Sequence, residues 1–117
     1  MIRSFADIDK SELCGMVRRV DNLGRILIPM EYRKELGLEK DAGIEIAILE
    51  DGMLIRPLRE GVDAGPPVSG RMTARRIDNL GRVNIPVAAR RRLDIAFHDE
   101  LEIFLLRESL FIRKKIA

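Results

Sequence analysis

Short apolar stretches of strand length recur along the chain, separated by turn-forming clusters. Met16-Val17-Arg18-Arg19-Val20 predicts a strand, Asp21-Asn22-Leu23-Gly24 a tight loop, and Arg25-Ile26-Leu27-Ile28 a second strand. Gly24 can take a positive φ that such a loop needs. Pro29 ends the strand and pre-sets φ for a helix start, where its missing N–H is no loss. Met30 to Leu36 predicts about two helical turns, with Gly37 as the C-terminal stop. Ile44-Glu45-Ile46-Ala47-Ile48-Leu49 and Met53-Leu54-Ile55-Arg56 predict two further strands, joined by a hairpin turn at Glu50-Asp51-Gly52.

The same order then returns. Residues 17–56 align without a gap on 74–113, at an offset of 57, with 16 of the 40 positions identical. The identities cluster at Arg18-Arg19 with Arg75-Arg76, at Asp21-Asn22-Leu23-Gly24-Arg25 with Asp78-Asn79-Leu80-Gly81-Arg82, and at Ile28-Pro29 with Ile85-Pro86. The second copy has Arg107-Glu108-Ser109 as its hairpin turn. It has Asp94 where the first has Gly37, so a looser helix end is expected there. The chain thus divides into a leader (1–14), a first repeat (15–58), a linker rich in Gly and Pro (59–70) and a second repeat (71–117).

Four short strands and a two-turn helix cannot bury their apolar faces alone. Two copies sharing one core can, and a linker able to span roughly 35–40 Å permits that. The expected fold is mostly β with two short helices, an interleaved pseudo-dimer of two β-β-α-β-β repeats within one chain.

Charge refines this picture. The net charge is +2, but segment 15–35 carries +2 and segment 70–93 carries +6, while the rest of the chain carries −6. Such asymmetry is the footprint of a polyanion-binding surface, though a solvated surface of uneven charge is the plain alternative. With four Phe, one Tyr and no Trp, the chain lacks the aromatic faces of a single-strand stacking platform. Cys14 is the sole cysteine, which excludes an internal disulfide or cysteine metal cluster, and it is read as inert. His98 has no His or Cys neighbour in sequence and is read as a surface residue. There is no catalytic triad, phosphate-binding loop or metal-ligand spacing, so no enzyme activity, cofactor or small-molecule substrate is expected. Without a membrane-length apolar run or signal-peptide core, a cytoplasmic protein is expected.

The stretch from Gly15 through Pro29, followed by Arg33-Lys34-Glu35-Leu36-Gly37-Leu38, resembles the AbrB/SpoVT (swapped-hairpin) family of bacterial and archaeal transcription regulators. The resemblance covers about 15–57 and, less well, 74–114. It implies a small barrel built by exchanged hairpins and DNA contacts from Arg and Lys of the first strand, the loop end and the helix. Carried onto this sequence, those are Arg18, Arg19, Arg25, Arg33 and Lys34, with Arg75, Arg76, Arg82, Arg90 and Arg91 in the second repeat. The usual family chain has one such module and a separate C-terminal domain, whereas a second module stands here. MraZ proteins also hold two related modules, with an Asp-x-x-x-Arg signature that Asp21/Arg25 and Asp78/Arg82 satisfy. MazE-type antitoxins share the fold and add a toxin-wrapping tail, which is not expected in a chain whose last strand ends near Lys114.

The expected partner is double-stranded DNA, with a homo-oligomer possible. Arg25 and Arg82 have two readings: DNA contacts, or ion pairs with Asp21 and Asp78. Arg18 and Arg75 have two as well, DNA contacts or solvated strand residues. Arg33 and Arg90 alternate with apolar helix positions and are expected to face outward. Arg90-Arg91-Arg92 spans too wide an arc to share one face, so at least one of the three is surface. Asn22 and Asn79 read as turn formers. The rival function is a protein-interaction or antitoxin-like module that binds through an edge strand or through leader 1–14.

Overall fold

The computed structural model describes residues 1–8, 15–58, 68 and 72–115. Cys14 and most of the linker therefore lie outside the described residues. The strands are β1 (Gly15–Arg19), β2 (Arg25–Leu27), β3 (Gly43–Ile48), β4 (Met53–Pro57), β5 (Met72–Arg76), β6 (Arg82–Asn84), β7 (Glu100–Leu105) and β8 (Leu110–Lys114). The helices are α1 (Met30–Leu36) and α2 (Val87–Arg92). Every predicted element is present, with bounds within a residue or two of those expected.

Six strands form an antiparallel sheet in the order β1-β7-β8-β4-β3-β5, and β2 and β6 form a separate two-stranded ribbon. The hydrogen bonding leaves the larger sheet open, with β1 and β5 at its edges, where a closed barrel was expected. The reason lies in length. The three-residue ribbon strands bond only to each other and do not bridge the two edges.

Four of the strand pairings join the two halves of the chain. β1 runs beside β7 with Gly15 opposite Phe104, and β5 beside β3 with Met72 opposite Ala47. Under the offset of 57, these two registers are the same. β2 meets β6 with Ile26 opposite Val83, and β4 meets β8 with Leu54 opposite Phe111. In both of these pairs the central residue faces its own counterpart in the other repeat.

Facing residues of antiparallel strands share a face, and faces alternate along the strand. The inner face of the sheet carries Ile44, Ile46, Ile55, Leu101, Ile103 and Ile112, all essentially inaccessible to solvent. They form one core with Ile26, Ile28, Val83 and Ile85 of the ribbon region and with Tyr32, Leu36 and Ala89 of the helices. The ribbon and helices therefore make one layer over the sheet. The outer face has its own cluster of Ala47, Leu49, Leu54, Phe104 and Phe111, joined by Ile8. A 3-10 turn at Phe5–Asp7 lays Phe5 against Phe104 and Phe111, with ring centroids 5.1 and 5.0 Å apart. The guanidinium of Arg113 sits 4.2 Å from the Phe5 ring. Residues 1–8 are thus part of the packed structure, which counts against their serving as a free arm for a partner.

The second helix end is not looser than the first. Asp94 takes φ 54°, close to the 66° of Gly37. Ile95 N–H donates to the Arg90 carbonyl at 2.8 Å, as Leu38 does to Arg33 at 2.8 Å. Lys114 adds a bond that the first repeat lacks, its ammonium donating to the Asp94 carbonyl at 2.7 Å. The short polar side chain of Asp tolerates the left-handed region, and Lys114 fixes it there.

Candidate nucleic-acid interface

The ribbon gives the site its geometry. Ile26 and Val83 point inward and are 1% exposed. Their neighbours must then point outward, and Arg25 stands opposite Asn84 while Leu27 stands opposite Arg82. At each end of the ribbon sits one copy of the Asp-Asn-Leu-Gly loop.

Each loop is latched by its aspartate. Asp21 Oδ1 accepts hydrogen bonds from the Leu23 and Arg25 amides at 2.9 and 2.8 Å, and Oδ2 accepts from Arg25 Nε at 2.8 Å. Asp78 repeats this with Leu80, Arg82 and Arg82 Nε at 2.9, 2.8 and 2.7 Å. Desolvation in the loop pushes both carboxyls up. The amide bonds, led by that of Arg25 or Arg82, outweigh it together with the guanidinium, and both aspartates stay below the usual carboxylate range. The ion pair is therefore real, but it uses only Nε. The terminal guanidinium nitrogens of Arg25 and Arg82 have no partner among the described residues, and each side chain keeps about a quarter of its surface exposed. The ion-pair reading of these arginines is met: the Asp fixes the direction of the Arg, and the outer fork of each guanidinium is left unpaired among the described residues.

The helix arginines correct the sequence reading. Arg33 and Arg90 are partly buried and fold back over the ribbon rather than pointing away from it. Arg33 Nε donates to the Ile28 carbonyl at 3.0 Å, and Arg90 Nε to the Ile85 carbonyl at 3.3 Å. Each guanidinium also lies over the loop glycine of the other repeat. A Cβ placed on Gly24 would stand 3.2 Å from Arg90 Cζ, and one on Gly81 would overlap the Arg33 guanidinium. The loops are cross-tied by backbone as well, Ile28 N–H donating to Gly81 and Ile85 N–H to Gly24 at 3.0 and 2.9 Å. Helical spacing placed these arginines outside the apolar stripe but could not show that the stripe's border abuts the partner loop. Each end of the ribbon thus gathers a pair from different repeats: Arg25 with Arg90, and Arg82 with Arg33.

The remaining candidates divide by face. Arg18 stands opposite Leu101 and Arg75 opposite Ile44, so both sit on the sheet's inner face at its edges, the side that bears the ribbon. Each donates to the carbonyl of the preceding residue at 2.9 Å. Arg19 stands opposite Glu100 and Arg76 opposite Gly43, on the outer face. Arg76 donates to the Asp41 carbonyl at 3.0 Å. The ribbon and these two residues are on opposite sides of the sheet. Lys34 and Arg91 are exposed on the helices. Arg92 reaches to the Leu49 carbonyl at 3.2 Å, which assigns one of the three consecutive arginines to structure.

Sequence reasoning missed Leu27 and Asn84. They occupy equivalent places on the outward ribbon face, Leu27 with 41% of its surface exposed and Asn84 exposed with no partner for its amide among the described residues. The signal was available: residues flanking a buried Ile26 or Val83 in a two-residue alternation must face out. Among the described residues no helix is long and apolar enough to cross a membrane, and no group of His, Cys, Asp or Glu is placed to hold a metal ion.

The profile of a family described as antidote-toxin recognition MazE, bacterial antitoxin, matches residues 17–63. The chain is also similar to the transition state regulatory protein AbrB of Bacillus subtilis (strain 168), with 38% identity over 36% of this chain and 44% of that protein. It is similar to the stage V sporulation protein T of the same organism, with 44% identity over 35% of this chain and 23% of that protein. The chain therefore matches less than half the length of these curated relatives.

Proposed function

We propose that the chain is a double-stranded DNA-binding transcription regulator of the AbrB type, folded as an intrachain pseudo-dimer in which the second repeat takes the place of a second subunit. The two repeats exchange strands in matching registers, and that supports the swapped-hairpin reading. One observation carries the functional reading: the outward ribbon face presents Arg25 and Arg82 beside each other's strands, each aimed by an aspartate and open at its outer fork.

A two-stranded ribbon fits the major groove of B-DNA, which is about 12 Å wide. Arg25 and Arg82 approach the base edges or the flanking phosphates as bidentate donors. Arg33 and Arg90 add positive charge at the ribbon ends, Lys34 and Arg91 contact the backbone from the helices, and Arg18 and Arg75 extend the surface at the sheet edges. Arg19 and Arg76, on the other face, contribute only long-range attraction, which salt screens over about 10 Å. The resemblance to a protein named as a transition state regulator supports regulation of transcription as the outcome of binding.

If about six phosphates are neutralised, log affinity falls against log salt with a slope near −5. The double variant Arg25→Ala with Arg82→Ala keeps its circular dichroism spectrum, because the Asp21 and Asp78 amide bonds remain, and loses duplex binding. Unchanged binding by that variant would place the site elsewhere.

The match to the MazE antitoxin profile favours a second reading, a module that binds a protein partner along an edge strand of the open sheet. Co-purification of a stoichiometric partner, with no shift of any duplex, would decide for it.

A further inference from the structure

The two halves of the ribbon are equivalent in backbone but not in side chain. Arg25 and Arg82 are matched, and so are Ile26 and Val83 in place and burial. Next to them the match fails. Arg82 faces Leu27 across the ribbon, while Arg25 faces Asn84. Both residues point outward, and both lie within one position of the ribbon's centre. Leu27 offers only an apolar surface. Asn84 offers a free carboxamide with one acceptor and two donors. The asymmetry extends to the helices beside them. α1 has Glu31 and Glu35 where α2 has Ala88 and Arg92, so the first helix is neutral and the second carries three positive charges.

Two identical subunits meet identical half-sites and so select a palindrome. A single chain is free of that constraint. We infer that this protein reads a non-palindromic duplex site in one fixed orientation, with Asn84 and Leu27 as the residues that set the difference between the two half-sites. Asn84 suits an adenine, whose N7 and N6 match its donor and acceptor, and Leu27 suits a thymine methyl group. The α2 side lies over the half-site that is held more firmly by its phosphates. This inference rests on the DNA-binding reading and deepens it.

The experiment is selection from a pool of duplexes with a randomised core, carried out on the full chain and on two variants, Asn84→Leu and the exchange Leu27→Asn with Asn84→Leu. Thermal melts first establish that each variant folds. The wild type yields a consensus whose two halves differ. Asn84→Leu loses roughly 10- to 100-fold of discrimination at one position, the scale of one good bidentate base contact. Its salt slope stays the same, since no phosphate contact is removed. The exchange variant moves that preference to the opposite half. A palindromic wild-type consensus, or unaltered discrimination in Asn84→Leu, would overturn the inference and leave the DNA-binding reading standing. Failure of the wild type to bind any duplex would bring down both.

Discussion

Gly81 is the position at which the structure makes its sharpest quantitative demand. Its φ is 87° and that of Gly24 is 79°, so replacing either by Ala forces an L-residue into the left-handed region. That costs roughly 1–2 kcal/mol at each site. The two sites differ in what the new methyl group meets. At Gly24 it stands 3.2 Å from Arg90 Cζ, a contact relieved by a few tenths of an ångström of movement. At Gly81 it overlaps the Arg33 guanidinium, which must swing away and give up its 3.0 Å bond to the Ile28 carbonyl. Losing that hydrogen bond adds about 1 kcal/mol. Gly81→Ala is therefore expected to cost roughly 2–3 kcal/mol and Gly24→Ala roughly 1–2 kcal/mol. Urea denaturation read by circular dichroism gives both values, provided the m-values agree. A double-mutant cycle isolates the cause. In an Arg33→Ala background, Gly81→Ala should cost only the backbone share, and the coupling should come to about 1 kcal/mol. Equal costs at the two glycines, or a Gly81→Ala cost undiminished by Arg33→Ala, would refute the packing of a helix arginine onto the other repeat's loop.

Asp21→Ala should lower stability by about 1–2 kcal/mol at neutral pH, as loss of a capping carboxylate does. The folded-state pKa of Asp21 is depressed, so its contribution is present above the ordinary carboxylate value of about 3.9 and is lost as pH falls through the lower folded value. Wild-type and variant stability curves should converge in acid, and parallel curves down to about pH 2 would exclude the latch. Asp94→Gly should raise stability by about 0.5 kcal/mol, because the left-handed backbone is relieved while the Lys114 bond to the residue 94 carbonyl remains. A fall in Tm would contradict that. Phe111, fully buried and packed against the tilted ring of Phe5, should cost about 3–5 kcal/mol when replaced by Ala, and a loss below 1 kcal/mol would mean that the outer face is not packed as described.

The order of elements was legible because the chain states it twice. A strand that ends at Ile28-Pro29 and a helix that starts at Met30 needed only local rules. So did the turns at Asp21 and Asp78, where Asp and Gly each have one obvious use. Long-range closure was not legible. Nothing in a period of two tells that β2 and β6 would bond only to each other, because that depends on where the sheet edges end. Arg33 was misread because helical spacing defines a stripe, not its border, and a long side chain at the border can fold onto a neighbouring loop. The leader escaped notice as structure because Phe5 packs on residues about a hundred positions away. Leu27 and Asn84 could have been found, since burial of Ile26 and Val83 fixes the direction of their neighbours.

Strand β1 finds its partner in β7, about ninety residues further along the chain. A ribosome adding about 5–20 residues per second needs roughly 5–18 s to make that partner after β1 itself is synthesised. For that interval the first repeat is exposed with its apolar face uncovered and its edge unpaired. The β3 edge of another nascent chain offers β1 the same backbone register, because β1 on β7 and β5 on β3 are equivalent under the offset of 57. The expected consequence is that refolding at high concentration raises the fraction of chains that complete each other, a concentration-dependent shift that light scattering would read.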